Sequence, residues 1–152
     1  MPIIVFWTAW IAMAAYFLAL VPNPRRPIAW PWVFGAVVML AHLAAAFHLV
    51  HHWSHAEAEL DTARQTEELL GISVGAGLWV NYIFVLTWLI DAAWLLFARE
   101  SYLRRPRWLT VTIQGFLGFI VFNATVVFGK GPLRWIAALA MTVLGFSAMK
   151  KH

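Results

Sequence analysis

The sequence predicts an all-α, polytopic integral membrane helix bundle. It has four long transmembrane helices, a shorter fifth, and a short extramembrane helix between spans 2 and 3. Three observations predict this. Of 152 residues, 62% are hydrophobic and 12% charged, against about 45–50% and about 25% in soluble domains. Mean hydropathy is +0.74. The apolar residues fall in five runs separated by short polar segments, without the period-2 alternation of a membrane barrel, and helices are the other structure whose backbone can satisfy itself in lipid. The length suits one domain, so residues 1–152 are read as a single transmembrane domain.

The first run covers about 2–21 and is closed by Pro22-Asn23-Pro24-Arg25-Arg26-Pro27. Ala12-Met13-Ala14 looks like a signal-peptidase site, but no Lys or Arg precedes Trp10, so the basic start of a signal peptide is missing and a retained helix is expected. The second run covers 28–50. Beyond it, Ser54 and Glu57 fit a capping box and Gly71 is placed to end a helix begun near His55. A second span continuing unbroken past His55 is the alternative, and the pattern leaves both open. The third run covers 72–98 and the fourth 108–129. The fifth, 133–149, is short against the roughly 20 residues that cross the hydrocarbon. It reads either as a tilted span or as a helix lying partly in the interface.

Charge predicts direction. Arg25, Arg26, Arg99, Arg104, Arg105, Arg107, Lys150 and Lys151 fall on one side, eight in all, whereas Arg64, Lys130 and Arg134 fall on the other. Basic loops stay cytoplasmic, so the N-terminus is expected outside and the C-terminus inside, with a bacterial inner membrane as the working location. The pI near 10.0 therefore reflects topology, and no basic stripe suggests nucleic acid.

Five of the six histidines lie between His42 and His55. On a continuous helix His48, His52, His55 and Glu59 line up at spacings of 4, 3 and 4. Imidazoles one turn apart can share a transition metal, with a carboxylate completing or orienting the shell. His51 and His42 would support the set. Nitrogen and oxygen donors suit Zn, Cu(II), Fe or Mn. The bland explanation is a solvated or pH-responsive cluster at headgroup level. Haem ranks below a metal, because no other span contains a histidine and an axial pair would need a second subunit. His48-Leu49-Val50-His51-His52 is similar to the HxxHH box of membrane di-iron hydroxylases and desaturases. That family requires several such boxes, and this chain has one cluster and a terminal His152.

Inside the spans, counting along the helices puts His42, Asn81 and Asn123 at one level and Asp91 with Gln114 at a second. Asp near mid-bilayer costs roughly 2.5–3.5 kcal/mol on insertion scales, so Asp91 should face the bundle and be partnered or protonated. The functional option is a proton or ion relay; the plainer one is interhelical hydrogen bonding. Trp7, Trp10, Trp30, Trp32, Trp53, Trp108 and Trp135 fit interfacial belts, and Trp79, Trp88 and Trp94 are read as packing. Gly71, Gly75, Gly77, Gly115 and Gly118 would permit close helix contact.

There are no cysteines, which excludes thiol chemistry. Phosphate-loop, GxSxG and HExxH signatures are also absent from the sequence. Whether the chain is an enzyme stays open. Three functions remain: a His-rich metal or haem site at the outward end of the second helix, in redox chemistry or metal handling; a non-catalytic accessory or assembly subunit of a larger membrane complex; and a proton- or ion-conducting oligomer. The lipid bilayer is the common partner, with a homo-oligomer or larger complex beside it.

Overall fold

The computed structural model describes residues 2–129 and 131–150. Four helices in it are long and apolar enough to cross a membrane, and no strand occurs among the described residues. The helices are α1 (Ile3–Leu20), α2 (Ala29–Leu49), α3 (His55–Leu70), α4 (Gly77–Phe97), α5 (Arg99–Leu103), α6 (Arg107–Phe122) and α7 (Leu133–Lys150), with a π-helical turn, Asn123–Val127, completing the α6 span. The spans α1, α2, α4 and α6 pack in that order, and α7 closes the ring by touching both α6 and α1. The fifth run thus forms the shorter apolar helix, packed on the bundle.

One end of the bundle carries the start of α1, the α2–α4 connection and the histidines from His42 to His55. The other carries the α1–α2 loop, α5 and most arginines. They are called the histidine end and the arginine end below.

Helix α3 forms as the capping box predicts. Ser54 Oγ accepts from the Glu57 N–H at 3.2 Å, and Gly71 stops the helix in the left-handed region at φ 72°. The third span begins at Gly77 rather than 72, because the residues after Gly71 return along α3. A Cβ at Gly75 would stand 2.6 Å from Glu59 Cγ, so only glycine permits this close approach.

The core is aromatic. Tyr16, Trp32 and Trp88 meet with ring centroids 5.3–5.6 Å apart, and Phe84 packs on Trp88 at 5.8 Å. Gly35 makes room for this layer: a Cβ there would lie 2.7 Å from the Trp88 ring and 3.1 Å from Ala15 Cβ. The tight α1–α2–α4 junction therefore rests on Gly35, not on the glycines of α6. The outer faces, including Ile3, Trp7, Ile83, Ile90 and Phe119, are exposed and apolar, as lipid contact requires.

The π turn is stitched by side chains. Phe128 N–H reaches back five residues to Asn123 O, while Asn123 Nδ2 donates to Phe119 O and Thr125 Oγ1 to Val121 O, each at 2.7 Å. The polar side chains of the turn thus find their partners on carbonyls of the same segment, as a lipid environment demands.

Candidate functional site

At the arginine end a single carboxylate gathers the polar chemistry. Asp91, on the inward face of α4, is 1% exposed. Its Oδ2 accepts from Trp32 Nε1 on α2 and from the Tyr102 hydroxyl on α5, both at 2.9 Å. Its Oδ1 accepts from Arg105 Nη1. The Arg105 side chain is itself 2% exposed, its guanidinium lies 3.9 Å from the Tyr102 ring centroid, and its Nε donates to Thr110 Oγ1 on α6 at 2.9 Å.

One ion pair thus ties α2, α4, α5 and α6 together. Neither charge would be tolerated here alone: breaking a buried pair by removing one partner costs about 3–5 kcal/mol. Burial, reinforced by the Asp91 charge, raises the Tyr102 hydroxyl well above the ordinary tyrosine range, and the opposing influence of Arg105 does not reverse this. Tyr102 is therefore a neutral donor, which suits a hydrogen bond to a carboxylate.

Trp32, Tyr102 and Arg105 escape sequence reading. Trp32 has the position of a belt tryptophan, yet it is fully buried. Arg105 has the look of a topology signal in a loop of arginines, but α5 turns it inward. Their available signal was Asp91 itself, which demanded donors without naming them. Gln114 lies one helical turn from Thr110 along α6, but no bond joins it to Asp91; its amide Nε2 and Oε1 are buried without a hydrogen-bond partner among the described residues.

The histidine end is organised differently. Helix α2 stops at Leu49, and His52 (φ 47°) and Trp53 (φ 61°) are both left-handed. The turn lets Trp53 N–H reach Phe47 O at 2.9 Å. Such backbone is rare for bulky non-glycine residues and costs of order 1–3 kcal/mol at each position. The unbroken helix that would align His48, His52, His55 and Glu59 does not form.

Each histidine instead has its own neighbour. His48 Nδ1 accepts from Trp53 Nε1 at 3.2 Å. His51 lies edge-on to Phe47. His52 Nδ1 is 3.7 Å from Glu57 Oε2 in an exposed pair. His55 stacks on Tyr82 with its Nδ1 3.0 Å from the hydroxyl, and Trp79 meets it edge-on. Glu59 stands one turn beyond His55, with its stem against Gly75. Among the described residues no group of three or more His, Asp or Glu side chains is placed to hold a metal ion. His152 lies outside the described residues.

The expected level of His42, Asn81 and Asn123 is not assembled either. His42 Nδ1 lies 3.0 Å from Val5 O and 3.2 Å from Thr8 Oγ1. A carbonyl only accepts, so Nδ1 carries the proton. Asn81 is exposed on α4, and Asn123 bonds to its own helix. Trp79 is 56% exposed and Trp88 fully buried, while Trp94 Nε1 donates to Ser101 Oγ at 3.2 Å.

The chain matches no protein-family model, no curated protein and no solved structure.

Proposed function

We propose that the chain is a non-catalytic accessory or assembly subunit of a larger membrane complex. The observation that supports this is the use made of Asp91, the only carboxylate within the four long spans. Its charge is matched by Arg105, and its oxygens take further bonds from Trp32 and Tyr102. A carboxylate so enclosed holds its own chain in shape. A proton relay through one chain has the least support, because the Tyr16–Trp32–Trp88 layer lies between His42 and Asp91; an oligomer would have to supply the path. The arginine bias supports an orientation with the N-terminus outside and the arginine end in the cytoplasm, and a bacterial inner membrane is the proposed setting.

The test is native gel electrophoresis and native mass spectrometry of the chain extracted from its own membranes in mild detergent. The expected species is heavier than copies of the 17.2 kDa chain can explain, with a second polypeptide in fixed ratio. A chain that migrates alone or only with itself overturns the proposal.

The strained turn supports a second reading: a metal, or more remotely haem, held at the histidine end. Backbone strain concentrates at functional sites, and here it falls on His52, between His48 and His55. A metal would need the turn to rearrange, with His48, His52 and His55 as ligands and His51, His42 or Glu59 assisting. The measurement is elemental analysis for Zn, Cu, Fe and Mn with a visible spectrum. About one equivalent, lost in the His48→Ala, His52→Ala, His55→Ala variant, is expected under this reading. Stoichiometric metal retained in that variant would sink it.

A further inference from the structure

A cleft of about 480 Å³ opens at the arginine end, between the start of α2, the end of α4 and α5. Its walls have two characters. Arg26 and Arg99 supply cations at its rim, and both side chains are exposed without an ion pair or side-chain hydrogen bond among the described residues. Ile28, Trp30, Leu95 and Leu103 supply an apolar surface, of which Trp30 is 74% exposed and Ile28 47%.

The position matters as much as the lining. Helix α2 begins at Ala29 and α4 ends at Phe97, so the cleft lies where two spans leave the hydrocarbon. Around it the charge balance is positive. Arg25, Arg26, Arg99, Arg104 and Arg107 accompany Glu100 as the nearby carboxylate of this end, because Asp91 is turned inward onto Arg105. Glu100 is itself 4.0 Å from Arg104.

We infer that this cleft is a binding site for an anionic phospholipid. Its phosphate sits between the Arg26 and Arg99 guanidiniums, and its upper acyl chain lies along Trp30, Ile28, Leu95 and Leu103. Guanidinium geometry matches phosphate oxygens, and basic pockets between spans are recognised sites for acidic headgroups. A soluble phosphate would satisfy the arginines but leave the apolar wall uncovered, so the amphipathic lining favours a lipid. A zwitterionic lipid fits the wall but cancels much of the attraction.

The test uses the full chain in neutral detergent, titrated with phosphatidylglycerol or phosphatidylcholine and followed by native mass spectrometry. Retention of one phosphatidylglycerol in preference to phosphatidylcholine is expected. The Arg26→Gln, Arg99→Gln variant should bind it on the order of 30-fold more weakly, at about 1 kcal/mol per cation near an anionic surface. Arg104→Gln, which removes one positive charge from the same end but outside this cleft, should keep the preference and the affinity. Arg26→Lys with Arg99→Lys retains the charges and guards against misfolding: it should recover most of the binding. A loss of about 5-fold in Arg104→Gln, the share one cation has in a roughly 30-fold loss from two, would show only diffuse surface attraction and overturn the site. Equal affinity for phosphatidylcholine would also overturn it. So would full competition by millimolar inorganic phosphate, which would identify a free-phosphate site instead.

Discussion

At the arginine end, side chains from α2 and α5 and from the loop before α6 converge on one carboxylate of α4. At the histidine end, His48, His51, His52 and His55 lie within eight residues of sequence, yet each faces a different partner. The difference lies in what surrounds the groups. Asp91 is inside a span, where an unmatched charge is expensive and geometry must provide partners. The histidines sit at a helix end with exposed neighbours, where water satisfies whatever the protein does not. Density in sequence is therefore a poor guide to convergence in space, whereas burial of one charge is a strong one.

The comparison breaks most readily at Arg105. Arg105→Ala leaves Asp91 buried and unpaired and should cost about 3–5 kcal/mol, read as reversible unfolding in mixed micelles. Asp91→Asn should cost nearly as much, and the double variant less than the two costs added. Additive losses would mean that the two residues act independently.

Smaller, but still diagnostic, is Trp32→Phe, which keeps the ring packing and removes the N–H donor to Asp91. A loss of about 1–3 kcal/mol is expected, again by unfolding in micelles; a neutral outcome would show that Tyr102 and Arg105 suffice. Gly35→Ala inserts a methyl against Trp88 and should cost about 1–3 kcal/mol through overpacking. The accompanying sign is a changed Trp emission spectrum.

Ser54→Ala removes the cap of α3 and should cost about 1 kcal/mol. The effect should be confined to faster amide exchange in α3, leaving the spans unmoved.

Alkaline titration sharpens the contrast further. Tyr102 keeps its proton above the ordinary tyrosine pKa of 10.0, whereas in the unfolded chain it ionises there. Its contribution to stability is thus complete below pH 10 and declines as pH rises beyond it. Tyr102→Phe should flatten that alkaline decline in the unfolding curve.

Much of the fold was legible because hydropathy acts over whole segments. The runs at 2–21, 28–50 and 108–129 correspond to α1, α2 and the α6 span with its π turn, and the capping pair Ser54–Glu57 located α3. The third run begins five residues before its helix, α4, because hydropathy does not register the return of residues 72–76 along α3. The site was less legible. Asp91 announced a need for partners, but Arg105 lies 14 residues away and Trp32 59 residues away, joined only by tertiary packing. The histidine line failed because a helical spacing rule cannot anticipate the left-handed turn at His52 and Trp53. Gly35 carries no signal in the sequence, because one small residue in an apolar run makes no pattern.

The chain order of the Asp91 cluster imposes a timetable on biogenesis. Trp32 is synthesised before Asp91, but Tyr102 and Arg105 follow it. While α4 is entering the bilayer, its carboxylate has only an indole to bind, and its countercharge has yet to leave the ribosome. The third span can therefore settle only when the segment carrying Arg105 folds back against it. Nascent chains arrested before that arginine emerges should cling to the insertion machinery, and those arrested beyond it should be released as a bundle.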